Sequence, residues 1–169
     1  MYIAIIFVCI VQINFGEIVT ISLIDFERAD VQSLLRLHLA EADNGAPSHA
    51  LGMTALQATD VTMFSLRDED GQLMGFAAIK ALSESEGEIK SVRTHPDHLR
   101  KGVSRRLMDH LEAEARARGY RVLLLETHPS KEYEAARALY ERRGYTYRGP
   151  FGDYVSSPHS VFMELVLSR

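Results

Sequence analysis

Between Glu88 and Ser104 the chain reads Glu-Ile-Lys-Ser-Val-Arg-Thr-His-Pro-Asp-His-Leu-Arg-Lys-Gly-Val-Ser, and it runs on as Arg105-Arg-Leu-Met-Asp-His-Leu-Glu-Ala-Glu-Ala-Arg-Ala-Arg118. The pattern is a β-strand, a Pro-containing turn, then a basic helix start that carries a glycine. Such a junction can grip a phosphate: the unpaired N–H groups of a first helical turn point at the anion, and the helix dipole favours negative charge there. Arg100 and Lys101 precede Gly102, Arg105 and Arg106 follow, and Ser104 is small where backbone must come close. The spacing is neither a P-loop nor a Gly-x-Gly-x-x-Gly fingerprint. Read alone, it marks an anion cradle, or a plain connection with solvated charges.

The other chemically capable residues are few. There is one cysteine, Cys9, no Gly-x-Ser-x-Gly elbow, and no Cys/His cluster with metal-ligand spacing, so neither an enzyme nucleophile nor a metal is expected. Glu88 and Lys90 share one side of their strand and can pair there. Glu126 ends the apolar run Val122-Leu-Leu-Leu125, where a carboxylate needs a reason to be. By spacing alone, Tyr140 is a core aromatic beside Leu139. His95 and His98 read as solvated turn residues. His49, Asp153, Tyr154 and Ser160 lie on loops, where they are either surface polarity or the frame of a pocket.

The elements that position these residues follow from periodicity. The 169 residues carry 25% charged and 46% apolar side chains, the proportions of one globular domain. Net charge is -4 with no basic stripe, which argues against a nucleic-acid partner; the local patch from Arg93 to Arg106 suits a small polyanion. Strands are expected near 20–25, 61–66, 73–82, 88–94, 122–125, 145–148 and 161–167, and helices near 28–42, 50–58, 102–118 and 132–143. The order β-α-α-β-β-β-α-β-α-β-β gives an α/β (α+β) fold: a mixed sheet with helices on both faces. The apolar run Tyr2 to Val11 is short for a membrane span of roughly 20 residues. No basic residue precedes Arg28, as a signal peptide would need. An extra packed element, a weak anchor and an upstream extension from a misassigned start compete; the last is favoured, with residues 1–18 as extension and 19–169 as the domain. A cytoplasmic location without membrane association is the corresponding expectation. The last strands offer an edge that can pair two subunits into a homodimer.

The segment Leu99-Arg-Lys-Gly102-Val-Ser104 resembles the acetyl-CoA signature of the GNAT superfamily of N-acetyltransferases, Gln/Arg-x-x-Gly-x-Gly/Ala. It departs at Leu99 and at Ser104. Gly119-Tyr-Arg-Val-Leu-Leu-Leu-Glu-Thr127, Ala136-Arg-Ala-Leu-Tyr140-Glu-Arg-Arg-Gly-Tyr145 and the element order are similar to the family as well, and the likeness covers about residues 20 to 167. Within the family it resembles small bacterial members carrying Glu-Ile-Lys-Ser-x-Arg-Thr-His-Pro and a late Asp-Tyr…Ser-Val-Phe-Met segment.

The resemblance implies a mostly antiparallel GNAT sheet and acetyl-CoA as co-substrate, lying where the Glu88–Thr94 strand splays from the strand at 122–126. Backbone groups of Val92, Arg93 and Thr94 would pair with the pantetheine arm, and Arg100, Lys101, Gly102, Val103, Ser104 and Arg105 would hold the pyrophosphate. The amine of a small, amino-acid-like acceptor would attack the thioester directly. Tyr140 would be the acid for the leaving thiolate and Glu88 the base, with Glu126 as rival. His49, Asp153, Tyr154 and Ser160 would frame the acceptor. A non-catalytic acyl-CoA-binding sensor or interaction module is the alternative, for which the departures at Leu99 and Ser104 leave room.

Overall fold

Apolar runs such as Leu73–Ala78 and Val122–Leu125 make the central strands, buried on both faces, and apolar stripes at helical spacing make the helices. The computed structural model describes residues 10–14, 17–42 and 52–168. The strands are β1 (Ile10–Asn14), β2 (Glu17–Leu23), β3 (Val61–Arg67), β4 (Leu73–Ala81), β5 (Glu86–Thr94), β6 (Val122–Thr127), β7 (Thr146–Arg148) and β8 (Val161–Val166). The helices are α1 (Ala29–Ala42), α2 (Met53–Leu56), α3 (Val103–Ala117) and α4 (Glu134–Arg142). They form an eight-stranded sheet in the order β1-β2-β3-β4-β5-β6-β8-β7. Only β5 and β6 are parallel; the other pairs are antiparallel.

This is the expected mixed sheet with one strand added in front. Ile10–Asn14 pairs with β2, and β2 starts at Glu17, so the boundary expected after residue 18 falls inside a strand. The strand expected from residue 88 begins two residues earlier, because Glu86 and Gly87 already belong to β5. Gly87 is there for space: a Cβ on it would stand 2.7 Å from the Tyr120 ring. The helix expected from residue 132 begins as a 3-10 turn over Lys131–Tyr133 and becomes α-helical at Glu134.

Two apolar cores lie on opposite faces of the sheet. α3 turns Val103, Leu107, Met108, Leu111 and Ala115 inward, one stripe at helical spacing, and these pack with Ile79, Ile89, Leu123, Leu125 and Tyr140. Fully burying each such Leu or Met is worth about 2 kcal/mol, so this stripe fixes α3, and with it the helix start after Gly102. On the other face, Val31, Leu34 and Leu35 of α1 and Leu56 of α2 pack on Met63, Leu73, Phe76 and Ala78. Beyond these helices the same face is covered by the 149–160 loop, where Phe151 and Tyr154 sit over Leu124 and Phe162. No helix among the described residues is long and apolar enough to cross a membrane.

Candidate active site

The two parallel strands part company midway. β5 and β6 pair from Glu86↔Val122 to Ile89↔Leu125 and no further. β6 continues to Thr127 along β8, while β5 continues to Thr94 along β4. Past Ile89, no strand among the described residues therefore lies beside the β6-facing edge of β5, and a wedge opens between the two.

A bulge shapes this free stretch. Phe76 pairs with Arg93 and Ala78 with Lys90, so Ser91 and Val92 together oppose Ala77. Ser91 takes φ 52, a left-handed conformation that L residues seldom adopt. One extra residue inverts the alternation. Ile89 packs in the α3-side core, and Val92, three residues on, packs against that same core. Arg93 is thereby turned to the opposite face, where it makes a two-pronged ion pair with Glu41 at the end of α1 (Nη2 to Oε1, 2.9 Å). Thr94 returns to the α3 side and shares a 2.8 Å hydrogen bond with the Ser104 hydroxyl.

That bond ties the end of β5 to the first turn of α3. Between them, Arg100 and Gly102 both sit in the left-handed region, at φ 62 and 74. Gly102 caps α3 without a side chain, and the first helical bond runs from Arg106 N–H to its carbonyl at 3.1 Å. Helix geometry leaves the amides of Gly102, Val103, Ser104 and Arg105 with no intrahelical acceptor, at the helix start that the Thr94–Ser104 bond ties to the end of β5. Arg100, Lys101 and Arg105 are exposed around them, and the segment from Leu99 to Arg106 holds no acid. The junction has the backbone and the charge to receive a phosphate.

On the face opposite α3, β5 presents Glu88 and Lys90. Glu88 is 2% exposed. It accepts a hydrogen bond from the Tyr154 hydroxyl at 2.5 Å and pairs with the Lys90 ammonium at 3.0 Å; Lys90 also donates to the Tyr154 oxygen at 2.6 Å. Burial, then the hydrogen bond to Glu88, pushes the Tyr154 phenol well above its usual range, so it stays protonated. Glu88 is level with Leu124 across the sheet, and Glu126, two residues on, is the first residue of β6 past the last paired rung. Ser160 donates to Glu126 at 2.7 Å. The 149–160 loop is thus held over the sheet by two hydroxyls, one on each carboxylate.

On the α3 face, Tyr140 lies in the core that contains Ile89 and Leu125, the last rung before the wedge. Its ring centre is 5.8 Å from that of Tyr145. Burial raises its phenol to about 12, which keeps it a proton donor at neutral pH.

The sequence profile of the Acetyltransferase (GNAT) family matches residues 30–145. The chain is 42% identical over 142 residues to the uncharacterised N-acetyltransferase YsnE of Bacillus subtilis (strain 168), covering 82% of this chain and 93% of that protein. The chain belongs to the GNAT family. It is also 39% identical over 119 residues to an IAA acetyltransferase of Azospirillum brasilense, covering 69% and 75% of the two. Among solved structures it is similar to a Klebsiella pneumoniae protein provisionally assigned as an acyl-CoA N-acyltransferase, with a TM-score of 0.72, 33% identity, and 89% and 98% of the two chains covered. Acyl-CoA-dependent acetyl transfer is the activity of the GNAT family, and the fold is the family's.

In GNAT terms, the expected cofactor residues fall into two neighbouring groups. Val92, Arg93 and Thr94 lie along the free edge, and Arg100 to Arg105 at the helix start. The Arg93 side chain turns away to α1, so only its backbone faces the wedge. Leu99, one departure from the signature, is 59% exposed, and Ser104, the other, carries the bond to Thr94. Tyr154 and Ser160 engage the carboxylates of the opposite face; Asp153 is exposed, lining a cleft of about 510 Å³ with Lys80, Glu86 and Arg148. His49 lies outside the described residues. Among the described residues, no group of three or more His, Cys, Asp and Glu could hold a metal ion. Sequence reasoning missed the Arg93–Glu41 clamp and the bulge at Ser91. The first joins residues 52 apart, and the second leaves no mark in a run that still reads as an uninterrupted strand.

Proposed function

We propose that the chain transfers the acetyl group of acetyl-CoA to the amine of a small molecule by direct attack. The observation that carries this reading is the open edge of β5, tied by the Thr94–Ser104 bond to the basic start of α3. An extended pantetheine arm can add there like a strand, with its pyrophosphate on the amides of residues 102–105. The residues fit the cofactor: a free backbone edge, a positive helix start, and a small Ser104 where close approach is needed. Bound there, acetyl-CoA supplies the activated carbonyl. A main-chain N–H beside the bulge can polarise that carbonyl.

The acceptor approaches from the Glu88 face, between α1 and the 149–160 loop. Its attacking nitrogen must lose a proton. Glu88 is buried and already engaged by Tyr154 and Lys90, so its part is to act through Tyr154, holding the phenol and the loop in place. Glu126 stands at the mouth of the wedge, where the neutral Ser160 hydroxyl donates to it, and it takes the proton. Tyr140, kept protonated by burial, donates to the departing thiolate from the other face. No enzyme nucleophile is required.

The test is CoA release across a panel of small amines. Glu126→Gln is expected to lower kcat by ~100-fold or more, the range of a positioned general base, with acetyl-CoA affinity unchanged. Binding of acetyl-CoA with no CoA released on any amine would favour the acyl-CoA-binding module instead.

A further inference from the structure

Three rings gather beside the Glu126–Ser160 contact, and neither the fold nor the proposed chemistry uses them. His128 follows Glu126 by two residues, and His159 precedes Ser160 by one. Their rings are near-parallel, 19° apart, with centres 5.8 Å apart. On the other side of His128, the Tyr133 ring lies 5.5 Å away, tilted by 45°. Tyr133 is 41% exposed and His159 is exposed too, so the rings form no core.

Their support is built. The Ser130 N–H donates to His128 Nδ1 at 3.1 Å, which sets the ring orientation and places the proton of the neutral imidazole on Nε2. Arg137 donates from Nη1 to the carbonyls of His128 (2.5 Å) and Ser130 (2.9 Å), clamping the segment that carries the ring. His159 is steadied by its own N–H, which donates to the Ser157 hydroxyl at 3.1 Å. An arginine clamp, one ring plane fixed through Nδ1 and a tethered His159 backbone make a partly preorganised surface, which lowers the ordering cost of a ligand that stacks on it.

We infer that His128, Tyr133 and His159 form an aromatic rim that selects acceptors carrying a flat π-system close to the reacting amine. The inference rests on the acetyl-transfer reading for its location, because Glu126, between the rim and the wedge, is where that reading puts the acceptor nitrogen. His128 stands two residues beyond Glu126, and His159 adjoins Ser160, which bonds Glu126, so a planar group on a nitrogen held there has the rim as its neighbour. Ring-on-ring contact favours it over a saturated group of the same size.

The experiment compares phenethylamine with cyclohexylethylamine, which share their carbon skeleton and charge and differ in the π-face. Binding is followed by NMR titration of the CoA-saturated protein, and turnover by CoA release with acetyl-CoA. The aromatic amine is expected to bind about 3- to 10-fold more tightly, the worth of one aromatic contact. His159→Leu and Tyr133→Leu, which keep bulk and lose the π-face or its edge, are expected to bring the ratio close to one. They should do so through the KM of the aromatic amine, with kcat and the KM for acetyl-CoA unchanged, and His159→Phe should restore the preference. Equal binding of the two amines, or a preference that survives both Leu variants, overturns the inference even if both amines are acetylated. A rim-dependent preference in binding without CoA release on either amine upholds the rim and counts against acetyl transfer.

Discussion

Glu88 and Lys90 offer the sharpest perturbation, because a buried ion pair and a catalytic base answer differently to mutation. Their side chains are 3% and 10% exposed, and the charges stand 3.0 Å apart. At the effective dielectric that suits such sites, about 20, this separation corresponds to a gross attraction of about 5 kcal/mol, most of it offset by desolvation. Glu88→Gln puts a neutral amide beside the Lys90 ammonium, and Lys90→Met puts an apolar chain beside the Glu88 carboxylate. Each is expected to cost ~3 kcal/mol in urea unfolding, the usual penalty for stripping one partner from a buried pair. In the double variant the second change no longer strands a charge, so the two costs should fall short of additivity by ~2 kcal/mol. Because both groups hold Tyr154, all three variants should raise the acceptor KM and leave the KM for acetyl-CoA in place. Additivity within about 0.5 kcal/mol would show that the charges are not coupled. Loss of kcat in Glu88→Gln, with normal stability and normal kcat in Lys90→Met, would make Glu88 the proton acceptor and refute the positioning role.

Other consequences are as specific. Gly75→Ala would bring a Cβ to 2.4 Å from the Arg93 carbonyl oxygen and 2.8 Å from Val103, so β4 must shift from β5 and α3; a loss of about 3 kcal/mol and weaker acetyl-CoA binding are expected in urea unfolding and calorimetry. At Gly102 an added Cβ meets nothing nearer than 4.0 Å, so Gly102→Ala should cost only the ~1 kcal/mol of a left-handed backbone. Tyr140→Phe should lower kcat by about 100-fold with little change in acetyl-CoA affinity, in single-turnover and binding assays. His38, edge-on to Phe76, titrates near 4 instead of 6.5, chiefly because it is buried and also because Arg93 is near. The unfolded chain then binds the proton more readily, so stability is full above pH 6.5 and falls as pH drops towards 4, by on the order of 3 kcal/mol; His38→Leu should flatten that slope in unfolding curves.

The sequence made local periodicity legible, and little else was needed for the fold. Val103, Leu107, Leu111 and Ala115 are spaced as one helical face and are buried as one. Gly119 and Gly144 close α3 and α4 in left-handed conformations, as their positions after the periodic runs imply. The cradle was legible for the same reason: its charges, glycine and helix start are contiguous. What could not be read depends on pairs distant in the chain or on a single irregular residue. Lys90 was foreseen as a partner of Glu88, since two residues on one strand share a face. That Tyr154, 64 residues from Lys90, completes the network could not be, because loop length alone does not say where a loop returns. The bulge at Ser91 reverses the sides of Val92 and Arg93, and no composition rule announces it. The ring cluster of His128, Tyr133 and His159 is hidden likewise, since its members come from two loops.

The most direct measurement of the central claim is a crystal structure of the protein with CoA bound. The account predicts the pantetheine arm along β5 from Ser91 to Thr94, on the edge that β6 leaves open, and the pyrophosphate on the amides of residues 102–105. CoA bound elsewhere, for instance in the cleft lined by Lys80, Glu86 and Arg148, with the wedge between β5 and β6 empty, would contradict it.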